Sequence, residues 1–177
     1  MTARRDVLFG AAAGIAAAAA GLAWWRRQQH AVVDTDPPID FWSLQLARPE
    51  GGELVLAQFR QRPLLINFWA TWCAPCVREL PEIDRFAREH APRGIAAIAL
   101  AIDGAVPVRE FLRRTPLTLP IGLAGTDGSD LLRKFGNHQG GLPFTVLLGA
   151  DGQVEKRKLG EISHAELIAW TKSLPRH

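Results

Sequence analysis

Cys73 and Cys76 are the only cysteines in the 177 residues, and they stand where one periodicity gives way to another. Before them, Leu64 to Trp69 reads LLINFW. A continuous apolar run of that length is expected to be a strand covered on both faces. After them, Val77, Leu80, Ile83 and Phe86 recur every three residues and give one apolar face to a helix from about Pro75 to His90. Pro75 suits a first helical turn, where its missing N–H is not needed. Pro81 is expected to interrupt and kink the helix. A second apolar run, Ile95 to Ile102, completes strand, helix, strand, which calls for a right-handed crossover and a parallel pair.

The spacing Cys-Ala-Pro-Cys carries its own chemistry. Oxidised, it closes a ring so small that little entropy leaves the unfolded chain, which makes it a poor structural staple and a good reversible bond. A helix N-terminus carries partial positive charge and unpaired N–H groups, so a cysteine there is stabilised as the reactive thiolate. Cys73, at the helix start and accessible, is therefore the expected nucleophile, and Cys76, one turn in and more buried, the expected resolving thiol. A structural zinc site would need four ligands, and no second cysteine pair exists. A Cu(I)-binding metallochaperone using the same two sulfurs is an alternative, although Met1 is the only methionine.

The rest of the chain reads as one α/β domain. Phe41 to Leu46 and Leu54 to Phe59 flank Gly51-Gly52 as an N-terminal hairpin. Val106 to Arg114 reads as a helix, Leu119 to Leu123 as a short strand, and Ser129 to Phe135 as a short helix ended by Gly136. Phe144 to Gly149 and Gln153 to Leu159 flank Asp151-Gly152 as a hairpin. Ser163 to Leu174 is a last helix, with Ser163 and Glu166 spaced as a capping box. His138 reads as a solvated loop residue, and Lys156-Arg157-Lys158 as an exposed strand face. The net charge of +3 does not indicate nucleic-acid binding. Arg4, Arg5, Arg26 and Arg27 account for the excess, and beyond residue 30 acidic and basic residues balance, leaving no basic footprint for phosphates.

The N-terminus has a separate character. Residues 1–6 are basic. Val7 to Trp25 carries no charge, and as a helix at ~1.5 Å per residue it would span about 28 Å, close to a bilayer core. Trp24 and Trp25 fall where such a helix leaves the hydrocarbon. Arg4-Arg5-Asp6-Val7-Leu8 resembles a twin-arginine export signal. The segment 7–25 is thus a transmembrane anchor or an export signal, with the uncleaved anchor favoured because no clean small-residue cleavage site follows. Residues 26–38, with Pro37-Pro38, read as a linker, and 39–177 as the folded domain.

The run Asn67-Phe68-Trp69-Ala70-Thr71-Trp72-Cys73-Ala74-Pro75-Cys76, then Glu79-Leu80-Pro81, and later Gly141-Leu142-Pro143-Phe144-Thr145, resembles the TlpA/ResA/CcmG branch of the thioredoxin superfamily. The resemblance implies a thioredoxin-like fold, a central mixed β-sheet flanked by helices, behind an N-terminal membrane segment. It implies a cis Pro143 facing the cysteines, with Leu142 before it, Trp72 flanking the site, and Ala74-Pro75 between the sulfurs. Ordinary thioredoxins carry a buried Asp where this chain has Asn67, and in the ResA-like branch Glu79 matches a helix carboxylate implicated instead. Spacing supports Glu79 independently, because it lies three residues after Cys76 on nearly the same helix face. A solvated surface glutamate is the alternative. The implied activity is extracytoplasmic protein-disulfide exchange with no cofactor beyond the Cys73–Cys76 disulfide, on the periplasmic side of a bacterial inner membrane. The implied clients are apocytochrome c or copper-site proteins, with a membrane thiol transporter of the CcdA or DsbD kind as electron donor. A thiol peroxidase on the same fold wants a Thr three residues before its cysteine; position 70 is Ala, and Thr71 is only two before.

Overall fold

The computed structural model of the protein describes residues 41–125, 128–172 and 174. The basic N-region, the expected membrane segment 7–25, the linker 26–38 and the domain start at Ile39 lie outside the described residues. Among the described residues, no helix is long and apolar enough to cross a membrane.

The N-terminal hairpin is present but shorter than its apolar runs suggest. Strands β1 (Gln45–Ala47) and β2 (Glu53–Val55) pair antiparallel, Gln45 opposite Val55. The outer parts of both runs leave the ladder as short 3-10 turns, Phe41–Ser43 and Leu56–Phe59. Phe41, Leu56 and Phe59 are buried there, so core packing rather than strand pairing decides their conformation.

Strand β3 (Leu64–Trp69) runs into helix α1 (Ala74–His90), which returns the chain to strand β4 (Ala96–Ala101). Helix α1 continues through Pro81 without the interruption expected; Pro81 is exposed on its outer side. Helix α2 (Ala105–Arg114), strand β5 (Ile121–Leu123) and helix α3 (Gly128–Lys134) follow. Strands β6 (Phe144–Leu148) and β7 (Val154–Leu159) and helix α4 (His164–Thr171) complete the described chain. The sheet order is β5-β4-β3-β6-β7. Strands β3, β4 and β5 are parallel, and β6 is antiparallel to both β3 and β7. This is the mixed, helix-flanked sheet expected. Ser163 caps α4 with the anticipated capping box to Glu166.

Alternation along β3 sorts the core. Leu64, Ile66 and Phe68 join a cluster with Phe41, Phe135, Phe144 and the hairpin residues Leu54 and Leu56. Leu65 and Trp69 join the other cluster, with Leu80, Ile83 and Phe86 of α1 and Leu167 of α4. Under the helices, β4 presents Ala97, Ala99 and Ala101, small enough to let helices approach the sheet. On the hairpin side a Cβ at Gly122 would lie 3.0 Å from Leu54 and 3.2 Å from Leu46, so glycine admits the hairpin onto β5. The basic run in β7 is more engaged than expected of an exposed face. Arg157 donates to the Phe135 carbonyl at 3.1 Å, and Lys158 pairs with Glu166 at 2.5 Å.

Candidate active site

The site begins at the end of β3, where the chain leaves the sheet at Ala70 and turns, the Cys73 N–H reaching the Ala70 carbonyl at 3.2 Å. Cys73 is the N-cap of α1, with extended backbone angles, and its sulfur accepts from the Cys76 N–H at 3.4 Å. Ala74 and Pro75 occupy the first two helical positions, and no acidic residue lies in the first turn to compete for the positive helix end. Cys73 and Cys76 form a disulfide with their Cα atoms 5.3 Å apart. The order of exposure is as expected, 6% for Cys73 and 0% for Cys76. Cys73 is nevertheless much less accessible than a nucleophile on an open loop would be, because its side chain turns back over the helix start.

Glu79 is 1% exposed, which removes the alternative of a solvated surface glutamate. One carboxylate oxygen accepts from Asn67 Nδ2 at 2.7 Å, the other from the Ile162 N–H at 2.7 Å. Burial pushes its pKa up to about 7; the bonds from Ile162 and Asn67 oppose that rise, Glu161 adds to it and Lys158 reduces it. A carboxyl with that value exchanges its proton near neutrality. Its outer edge borders a surface cleft of about 440 Å³ between Arg78 and Glu82 on one side and Glu161, His164 and Glu166 on the other.

The Leu142–Pro143 peptide is cis, as the resemblance implied. The ladder places Phe144 opposite Phe68, so the preceding Pro143 lies at the end of β3 from which the cysteine turn departs. Leu142 is half-buried and packs against the cluster that contains both cysteines. The Gly160 N–H holds the Pro143 carbonyl at 2.8 Å, and Asn137 Nδ2 holds the Gly141 carbonyl at 2.7 Å. Trp72 is 71% exposed, while Trp69 is buried against Phe111. Exposed Leu159 pairs with Phe144 and so lies at the end of the sheet from which the turn with Trp72 departs. His138 is exposed, as expected. Among the described residues, no group of three or more His, Cys, Asp or Glu is arranged to hold a metal ion.

Sequence reasoning missed Asp103. Its Oδ2 accepts from both the N–H of Thr71 at 3.0 Å and the Thr71 hydroxyl at 2.5 Å, tying down the turn that carries Trp72. Parallel register supplied the signal: Trp69 opposite Ala101 brings Thr71 level with Asp103. Asn67 and Thr145 belong to the two motifs that carry the resemblance, but the sequence does not show that they meet; the structure joins them as buried partners, Asn67 Nδ2 donating to Thr145 Oγ1 at 3.0 Å.

Comparison with known proteins agrees with this chemistry. The redoxin family model matches residues 16–169. The thiol-disulfide oxidoreductase ResA of Geobacillus thermodenitrificans is 31% identical over 126 residues, covering 71% of this chain and 70% of that protein. The sporulation thiol-disulfide oxidoreductase A of Bacillus subtilis is 28% identical over 127 residues, covering 70% of this chain and 74% of that protein. The crystal structure of StoA from Bacillus subtilis superposes with a TM-score of 0.60 at 25% identity, covering 72% of this chain and 95% of that one. A disulfide at the cap of a helix, a thioredoxin-like sheet beneath it and these relatives lead to one assignment: the chain belongs to the redoxin family, as a thiol–disulfide oxidoreductase of the TlpA/ResA/CcmG-like branch.

Proposed function

We propose that the protein is an extracytoplasmic reductant of client-protein disulfides, tethered by segment 7–25 on the periplasmic side of a bacterial inner membrane. The observation that carries the reading is a buried carboxyl, Glu79, placed one helical turn beyond Cys76, where burial pushes its pKa up to about 7. Such a group can take the proton that a buried resolving thiol must lose before it attacks.

In the proposed cycle the Cys73 thiolate, stabilised at the start of α1, attacks one sulfur of the client disulfide. The Cys73–client bond forms, the client S–S bond breaks, and the released client thiolate takes a proton from solvent. Cys76 then gives its proton to the Glu79 carboxylate and attacks Cys73. The Cys73–Cys76 bond forms, and the second client sulfur leaves and is protonated. The protein dithiol becomes a disulfide, the client disulfide becomes two thiols, and two electrons are transferred. Exposed Trp72, with Leu142, Pro143, Ala74 and Pro75 around the sulfurs, forms the docking surface for the client chain. A membrane thiol transporter of the CcdA or DsbD kind restores the dithiol, and the clients are cysteines of apocytochrome c or of copper-site proteins.

Equilibration with defined thiol–disulfide buffers tests the direction of transfer. A potential near ~−270 mV or lower supports a reductant, and one near ~−120 mV overturns it in favour of a disulfide donor. Assignment of the nucleophile is tested by trapping. Cys76→Ser should accumulate a client mixed disulfide through Cys73 and lose turnover to background, whereas Cys73→Ser should trap nothing.

A further inference from the structure

Asn67 is the only polar residue in the six of β3, and alternation puts it on the helix-covered face between Leu65 and Trp69. It is fully buried. Its Nδ2 donates to Glu79 Oε1 at 2.7 Å and to Thr145 Oγ1 at 3.0 Å, and Thr145 is its cross-strand partner on β6. When Glu79 is ionised the amide nitrogen faces it, because a carboxylate can only accept. Asn67 Oδ1 is buried without a hydrogen-bond partner. The side chain therefore uses its donor end alone, an arrangement that makes sense if a donor is what the position must supply.

We propose that Asn67 is a positioning residue for the thiol chemistry, holding the Glu79 carboxylate through Nδ2 and thereby setting how readily Glu79 takes and returns the Cys76 proton. The inference rests on the role given to Glu79 above. Donors meet both carboxylate oxygens, Asn67 on one and the Ile162 N–H on the other, and both favour the ionised form against the burial that opposes it. The charged groups around Glu79 act less directly. Arg78 and Glu82 lie on its own helix, Glu161 and Lys158 come from the segment packed against it, and His164 and Glu166 face it across the cleft. Arg78 is paired with Glu161 at 2.8 Å and Lys158 with Glu166 at 2.5 Å. Ile162 acts through its backbone, so among the described residues Asn67 is the side chain that adjusts Glu79 by direct contact.

The experiment compares alkylation rates of Cys73 across pH in the reduced full-length protein, the Glu79→Gln and Asn67→Asp variants, and the double variant. Asn67→Asp keeps the shape and turns the donor into an acceptor. The inflection belonging to Glu79 should then rise by about one pH unit or more. In Asn67→Asp/Glu79→Gln the polarity of the pair is reversed, the glutamine amide donating to the strand carboxylate and the Thr145 hydroxyl turning to donate as well. An inflection should return that Glu79→Gln alone lacks. A wild-type profile in Asn67→Asp, or a double variant as flat as Glu79→Gln, overturns the inference while leaving the Glu79 role intact. An unchanged profile in Glu79→Gln removes that role and the inference with it. Should Asn67→Asp fail to fold, the wild-type protein decides by NMR. The Asn67 side-chain amide resonances should shift with the same midpoint as the Glu79 carboxyl, and amide resonances indifferent to that titration overturn the proposal.

Discussion

The two faces of the five-stranded sheet are made by the same strands and differ in chemistry. On the hairpin side, Phe68 packs with Phe135 and Phe144, ring centroids 5.9 Å apart in each pair, within an apolar cluster that also takes in Phe41 and Leu56. On the α1 side, the neighbouring β3 positions hold Leu65, Asn67 and Trp69, and a polar inset of Asn67, Thr145 and Glu79 lies beneath the helix that carries the disulfide. Burial of apolar surface favours the folded state wherever it occurs, whereas a buried carboxyl opposes folding once ionised. One face thus supplies stability, and the other uses part of it to bury a titratable group on the helix that carries Cys76.

If that division holds, substitutions on the two faces should separate stability from pH response. The largest effect is expected for Phe68→Ala, which should lower unfolding free energy by about 3–5 kcal/mol in denaturant titration. It should leave the pH profile of Cys73 alkylation in place; a shifted profile would break the division between faces. Glu79→Gln should act through pH. The carboxyl ionises near 4.5 when unfolded and near 7 when folded. Its contribution is therefore intact below about pH 4.5 and declines as pH rises through 7, by on the order of 3 kcal/mol. The exposed carboxylates Glu166, held at about 2 first by Lys158, and Glu89, lowered first by Arg85, run the other way and lose their contribution on acidification. Of these three carboxyls, only Glu79 loses its contribution as pH rises from 4.5 to 7. Unfolding curves of wild type and Glu79→Gln should diverge across that range in the variant's favour, and parallel curves would show that the carboxyl is not held as described. The smallest effect is expected for Asp103→Asn, about 1 kcal/mol, from weakening a charge-assisted tie to Thr71. A change in Trp72 fluorescence anisotropy on the same variant would show that the tie positions the active-site turn.

Much of this arrangement was legible in advance. The apolar run before the cysteines, the three-residue periodicity after them and Pro75 locate the strand, the turn and the helix. Parity along LLINFW puts Asn67 on the same face as Trp69, and the spacing of Cys76 and Glu79 puts both on one side of α1. The cis Leu142–Pro143 peptide came from the resemblance alone, since nothing in its local composition requires it. Burial of Glu79 was not legible. Its second oxygen is held by the Ile162 N–H, 83 residues later in the chain, and the helix sequence is silent on what closes over it. The same limit applied to the hairpin, where Phe41 leaves the ladder and packs on distant Phe135.

The sequence by itself determined where thiol chemistry could occur, because that depends on local matters: two cysteines at a short spacing, a helix start and a strand whose side chains alternate. Only the tertiary structure decided what surrounds that chemistry. The proton affinity of Glu79, the hold on the Thr71 turn and the pairing of Asn67 with Thr145 depend on groups brought together by strand register and chain closure, and desolvation and hydrogen bonding act through space rather than along the chain.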